Sequence, residues 1–207
     1  MFYDKDSLYL VPNFLNKDKQ DILEEIVGAD NFPWHLNKST NGPNPEINSN
    51  VICNRNTFDF YMFTHRLIHD NEVISERTDD IIKLIRPSIE EFFGDDKYDI
   101  IRSKVNLTTT SPRTRKIFAP HTDANHPMWS IVYFINDVPN SYTLIGKECD
   151  DGSCQKKFTL NKKIETKKGS AILFDSRRFH SAGKCPEGMV RYVLNVMVGR
   201  PEDIDDI

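Results

Sequence analysis

No apolar run in this 207-residue sequence approaches the ~20 residues that a helix needs to cross a bilayer. Met1 to Asp6 lack a basic start followed by an apolar stretch, so no secretory leader is expected and the chain reads as cytoplasmic, with no membrane partner. A basic surplus is missing too. Lys and Arg number 27 against 31 Asp and Glu, a formal net charge of −4, which argues against a general nucleic-acid coat without excluding a local contact. Cysteine is scarce. Cys53, Cys149, Cys154 and Cys185 read as thiols of a reducing compartment, and a zinc site at Cys149 and Cys154 would need two more ligands that the sequence does not nominate. Repeats, low-complexity tracts and a dividing linker are also absent, so the expectation is one domain spanning 1–207 with its own core.

What is present falls into two textures. Asn16 before Lys17-Asp18-Lys19-Gln20 predicts a capped helix start, Ile22, Leu23, Ile26 and Val27 share one face, and Gly28 ends it. Residues 31–57 read as a long loop or short irregular strands, with Phe32-Pro33-Trp34 as a core anchor. A second helical region is expected from Ser75 to Phe93, and Pro87 within it predicts a kink or two abutting helices. From Tyr98 onward, β-formers bounded by turn residues predict strands over 98–110, 129–136, 141–147, 157–165, 170–175 and 190–198. The order implies an α+β, mainly β fold: a sheet sandwich or jelly roll braced by N-terminal helices, with a helical part over about 1–97 and a β core over about 98–200.

Three features carry chemistry. His121-Thr122-Asp123 puts a His and an Asp at i and i+2, on one side of an extended segment, where both can reach one ion. Alone, such a triplet is also an ordinary turn with a solvated Asp. Gly169 then opens a buried strand to Phe174, and His180 follows. Alone, His180 is equally a core His with a satisfied hydrogen bond. Arg191 starts the apolar run Tyr192 to Val198, and by the period of two it points the same way as Val193, Asn195 and Met197. A buried Arg is costly unless it meets an anion, and its guanidinium fork matches a carboxylate. Two His and one carboxylate form the facial triad of non-haem Fe(II), with positions left open for reaction. Zinc rivals iron for such ligands but does not explain an inward Arg191.

On these residues the chain resembles the Fe(II)/2-oxoglutarate-dependent dioxygenases of the prolyl-4-hydroxylase-like type. The matching pattern is His121 and Asp123, the Gly169–Phe174–His180 segment, and Arg191 on the following strand. Val11–Leu15, Phe32–Trp34, Lys104–Leu107 and Ser130–Asn136 are similar to segments of compact phage and marine bacterial members. The resemblance implies a double-stranded β-helix with Fe(II) held by His121, Asp123 and His180. It implies 2-oxoglutarate as cosubstrate with its distal carboxylate on Arg191, O2 as oxidant, and hydroxylation of a substrate with release of succinate and CO2.

Within that frame, Ser130, Val132 and Phe134 share a face. If it is the inner one, Phe134 stands where many relatives present a Tyr hydroxyl, and Asn106 or Ser130 must compensate. Asn195, beside Arg191, is a candidate for a supporting hydrogen bond, or simply a satisfied core amide. His35, His65 and His69 have no partner pattern, and His126 is a candidate for the substrate mouth. Ser111 to Lys116 and the lysines at 156, 157, 162, 163, 167 and 168 are solvated faces or attract an acidic substrate. The substrate stays open among a peptide or protein side chain, a small molecule and a nucleotide. Two other classes stay open as well: a 2-oxoglutarate-independent Fe or Zn enzyme on a cupin-like barrel, and a non-catalytic jelly-roll binding module in which the His and Asp side chains do not converge.

Overall fold

Period-two alternation divides the apolar side chains between two layers, and a computed structural model shows how. It describes residues 7–37, 62–94, 98–110, 118, 120–149, 160–183 and 185–200. The strands are β1 (Leu8–Val11), β2 (His35–Asn37), β3 (Met62–His69), β4 (Glu72–Val73), β5 (Asp99–Thr109), β6 (Trp129–Phe134), β7 (Tyr142–Cys149), β8 (Leu160–Glu165), β9 (Ala171–Asp175), β10 (Arg178–Ala182) and β11 (Val190–Gly199). The helices are α1 (Lys17–Gly28) and α2 (Thr78–Phe93). An eight-stranded sheet runs β1-β9-β6-β11-β5-β3-β2, with β4 beside β3, and a three-stranded sheet runs β10-β7-β8. Pairing is antiparallel throughout. This is the expected α+β, mainly β jelly roll, braced by its helices.

One face of the large sheet holds the helices. Ile131, Tyr133, Leu173, Leu194, Val196 and Val198 pack there with Leu23 and Val27 of α1 and with Ile81, Ile85, Ile89 and Phe93 of α2. The alternate residues Val132, Phe134, Ile172, Phe174 and Val193 pack with Ile145 and Ile164 of the small sheet. The candidate pocket lies between the sheets, beside this second core.

α1 begins as expected: the Asn16 side chain accepts from the Lys19 amide at 3.0 Å. Phe32 is buried, and Trp34 stacks on Tyr192 with centroids 5.9 Å apart. α2 runs through Pro87 as one element, which excludes two abutting helices and leaves the single helix of the other alternative. Pro87 sits on the exposed face, so the carbonyl four residues earlier, on exposed Lys83, can turn to water for its lost partner. The N-terminal part is not purely helical either. It supplies β1 to β4, joined at β3–β4 by a two-residue turn in which Asp70 and Asn71 have φ of 49° and 64°, the geometry that twisted hairpins favour. Cys185 is a free, buried thiol, while Cys53, Cys154 and the Ser111–Lys116 segment lie outside the described residues. No described helix is long and apolar enough to cross a membrane.

One glycine locks the helix layer to the sheets. Gly169 has φ +79°, and a Cβ there would meet the Gln20 side chain at 2.4 Å. Buried Gln20 cannot swing away freely, because its Nε2 donates to the Leu15 carbonyl at 2.8 Å. Gly169→Ala is therefore expected to cost about 2 kcal/mol or more, from positive φ and overpacking together. Equilibrium denaturation would measure it, and a loss under 0.5 kcal/mol, about the scatter of neutral surface changes, would contradict the argument.

Candidate active site

Backbone pairing, before any ion, brings the His and Asp side chains together. Outside the regular strands, His121 forms a single antiparallel bridge with His180 of β10. The His121 amide donates to the His180 carbonyl at 3.0 Å, and the His180 amide donates back at 2.9 Å. The rings stand with centroids 4.4 Å apart. Asp123 is fixed by its own amide, which donates to the Ser176 carbonyl at 2.9 Å. One ligand atom from each of His121, Asp123 and His180 lies within 4.8 Å of the others. A non-catalytic module with scattered residues does not look like this.

The donor chemistry fits a divalent metal. His180 Nδ1 sits 3.1 Å from the Arg178 carbonyl, which can only accept, so Nδ1 carries the proton and Nε2 keeps its lone pair. That Nε2 lies 3.6 Å from Asp123 Oδ2. An ion about 2.1 Å from each atom would fit between them. Burial alone would raise the Asp123 carboxyl, but the surroundings of His180, His121 and Lys104 and the Ser130 hydrogen bond outweigh it and hold the carboxyl below its ordinary value. Asp123 is thus a carboxylate ready to ligate.

Ser130 spends its hydroxyl on this carboxylate, donating to Oδ2 at 2.6 Å. Buried Ser176, which sequence reasoning missed, ties down the loop behind it. Its Oγ donates to the His126 carbonyl at 2.8 Å and accepts from the Met128 amide at 3.1 Å. Ser130→Ala leaves the ligand set intact and frees the carboxylate to rotate. Metal affinity should fall about 10- to 100-fold, read by competition with a chelator. An unchanged affinity would mean the hydroxyl does not orient Asp123.

The pocket beside this cluster is lined by Lys104, Asn106, Thr108, Thr143, Arg191, Val193 and Asn195 among others, together with His121 and His180. The strand faces are therefore the expected ones. Arg191, Val193 and Asn195 point inward from β11, while Leu194 and Val196 pack under the helices. Arg191 is 4% exposed. Its Nη2 donates to Thr143 Oγ1 at 2.9 Å and its Nε to Thr166 Oγ1 at 3.1 Å. No carboxylate of the described residues reaches it, and burial pushes the guanidinium down to about 10, opposed by the Cys185 thiol. Thr108 Oγ1 is buried there without a partner among the described residues. A cation held only by hydroxyls, next to an orphaned hydroxyl, fits an incoming carboxylate.

Phe134 is the inward residue, its ring centre 5.5 Å from Arg191 Cζ, while Tyr133 lies in the helix-side core. The hydroxyls around Arg191 come from Thr143 on β7 and from Thr166, just past the end of β8, which local sequence gave no reason to join. Asn106 lines the pocket and its Oδ1 accepts from Thr64 Oγ1 at 3.1 Å. Burial lowers the Lys104 ammonium, and the Asp123 charge opposes that. Among the basic run, Lys168 is no substrate contact: it pairs with Asp21 and Glu24 of α1. His126 is not among the lining residues.

No protein-family model matches the sequence, and no curated protein matches it. Solved structures do match by shape. An oxidoreductase of the 2OG-Fe(II) oxygenase family from Burkholderia pseudomallei aligns with TM-score 0.63 at 11% identity, over 93% of this chain and 85% of that one. A prolyl hydroxylase from Trichoplax adhaerens, in complex with a hypoxia inducible factor peptide, aligns with TM-score 0.63 at 14% identity over 97% and 86%. The epimerase SnoN of nogalamycin biosynthesis, in complex with Fe3+, alpha ketoglutarate and nogalamycin RO, aligns with TM-score 0.58 at 13% identity over 95% and 80%. The chain has the fold of 2-oxoglutarate/Fe(II) oxygenases, prolyl hydroxylases among them.

Proposed function

We propose that this chain is, over 1–207, a single Fe(II)- and 2-oxoglutarate-dependent oxygenase domain that hydroxylates its substrate and releases succinate and CO2. A protein prolyl or other side chain is the favoured target. The observation that carries the reading is Arg191: a buried cation whose partners among the described residues are threonines, in the same pocket as the His121–Asp123–His180 cluster. A 2-oxoglutarate-independent metal enzyme would have no use for it.

In this reading His121, Asp123 and His180 hold Fe(II), which supplies the O2 chemistry that couples decarboxylation of the keto acid to substrate oxidation. Arg191 grips the distal carboxylate of 2-oxoglutarate. Thr143 and Thr166 hold the guanidinium in place, and Thr108 offers its unspent hydroxyl to the same anion. Ser130 orients Asp123, and the Arg178 carbonyl fixes the tautomer of His180. Val132, Val193 and Phe134 keep that end of the pocket apolar, which strengthens the ionic contact.

The test is anaerobic addition of 2-oxoglutarate to the Fe(II)-loaded full chain. A weak visible charge-transfer band of a chelated keto acid is expected. Iron demonstrably bound, with no band at saturating 2-oxoglutarate, would end the assignment. Succinate release across peptide, metabolite and nucleotide panels then addresses the substrate.

A further inference from the structure

We propose that Lys104 anchors a carboxylate of the substrate that is oxidised, so that this oxygenase selects molecules with one negative charge beside the reacting carbon. The inference rests on the function proposed above. Lys104 extends from β5 into the pocket that holds His121, His180 and Arg191. Among the described residues its amino group has no hydrogen bond or ion pair, and the Asp123 carboxylate acts on it only as a nearby charge. A partly buried cation lining a pocket without a partner points to a ligand.

The register favours a second ligand over 2-oxoglutarate. In the β11–β5 register, Arg191 stands opposite Thr108, and Asn195 stands opposite Lys104. The two cations are therefore four residue steps apart along the sheet, about 13 Å between Cα atoms at about 3.3 Å per residue. The carboxylates of a five-carbon diacid are only about 5 Å apart at C–C bonds of about 1.5 Å. With one carboxylate on Arg191, the diacid ends near the metal cluster, and the 2-oxoglutarate affinity of the Lys104 variants tests whether Lys104 reaches that end or a separate substrate.

Charge decides which anion. A divalent ion with one carboxylate ligand leaves one positive charge. Arg191 and Lys104 add two, and the 2-oxoglutarate dianion removes two. One positive charge is left, and the described lining residues include no further acid to neutralise it. A carboxylate closes the balance, whereas a phosphate dianion would overshoot it. An ammonium is also a point charge that accepts a carboxylate in any orientation, as a small substrate group requires.

The experiment titrates free amino acids and their carboxamides, as matched pairs, into the anaerobic full chain loaded with Fe(II) and 2-oxoglutarate. Perturbation of the charge-transfer band reports binding. N-acetylated aspartate and glutamate amides distinguish a side-chain carboxylate from an α-carboxylate, and phosphoserine against serine tests the phosphate outcome. At least one acid should bind tenfold or more tightly than its amide. Lys104→Met should reduce that preference to twofold or less with 2-oxoglutarate affinity changed less than threefold, and Lys104→Arg should keep it. Lys104→Gln, which retains stem and polarity, serves if the Met variant fails to fold. The proposal is overturned if no acid outbinds its amide, if phosphoserine alone is preferred, if the preference survives in the Met or Gln variant, or if the variant loses 2-oxoglutarate instead. Should the band itself never form, thermal shift of the Mn(II)-loaded chain reads the same acid–amide pairs, so failure of the cosubstrate assignment and failure of the Lys104 assignment stay separate.

Discussion

Arg191→Met is expected to lower 2-oxoglutarate affinity about 100- to 10,000-fold, leave Fe(II) affinity within threefold, and raise the thermal stability of the ligand-free chain. Two charge-assisted hydrogen bonds to a carboxylate contribute about 1.5–3 kcal/mol each, and every 1.4 kcal/mol is a factor of ten. The rise in stability follows from what Arg191 lacks. Thr143 and Thr166 satisfy two of its donors but neutralise none of its charge. Without an anion, the folded chain holds an under-compensated buried cation, and an apolar side chain of similar length relieves that cost. Titration of the charge-transfer band measures the first effect and calorimetry the third. A variant that binds 2-oxoglutarate normally, or that melts well below the parent, would show that Arg191 is a structural residue.

The second large effect is loss of metal from His180→Ala. In the proposed site three ligands share the ion, and structural metal sites of four ligands bind with about 10–16 kcal/mol in total. One imidazole is thus worth about 3 kcal/mol or more, a factor of 100 to 1000 in metal affinity. The fold should survive, because the bridge to His121 uses the backbone of residue 180 and not its ring. Anaerobic equilibrium dialysis with Fe(II), alongside circular dichroism, checks both halves. Undiminished iron binding in a folded variant would place the ion elsewhere.

The parts of this protein that sequence made legible are those in which local pattern and global role agree. β6, β9 and β11 are apolar runs with turn residues at their ends, and the two faces of each fall into different cores as alternation requires. The metal candidates were legible because His121 and Asp123 sit two apart and His180 follows a recognisable strand. The missing elements are polar ones. β3 carries Thr64, His65 and Arg66, and β10 carries Arg178, His180 and Ser181, so neither shows an apolar stripe. Their strand character comes from pairing partners distant in sequence, β5 for one and β7 for the other. The same reason hid Thr143 and Thr166. A threonine in a strand or just past its end is unremarkable until the fold places it against Arg191. Ser176 was invisible because its bonds reach the loop around residues 123–128, far along the chain.

The place of each half of the pocket in the sheet order has a consequence for how the molecule comes apart. β11, which bears Arg191, is paired with β5 along its length and with β6 over Val193–Val198, and beside Arg191 the Asn136 side chain bonds the Val190 carbonyl and the Tyr192 amide. β10, which bears His180, is the outer member of a three-stranded sheet and beyond β7 is held by the short 118–121 segment. Segments paired on one side open more readily than central ones, and loops open first of all. The two halves will therefore not be lost together. Under mild stress the chain passes through a form in which the ion's ligands have parted while the anion socket around Arg191 still stands, and regaining activity from that form is a matter of closing one edge rather than refolding a domain.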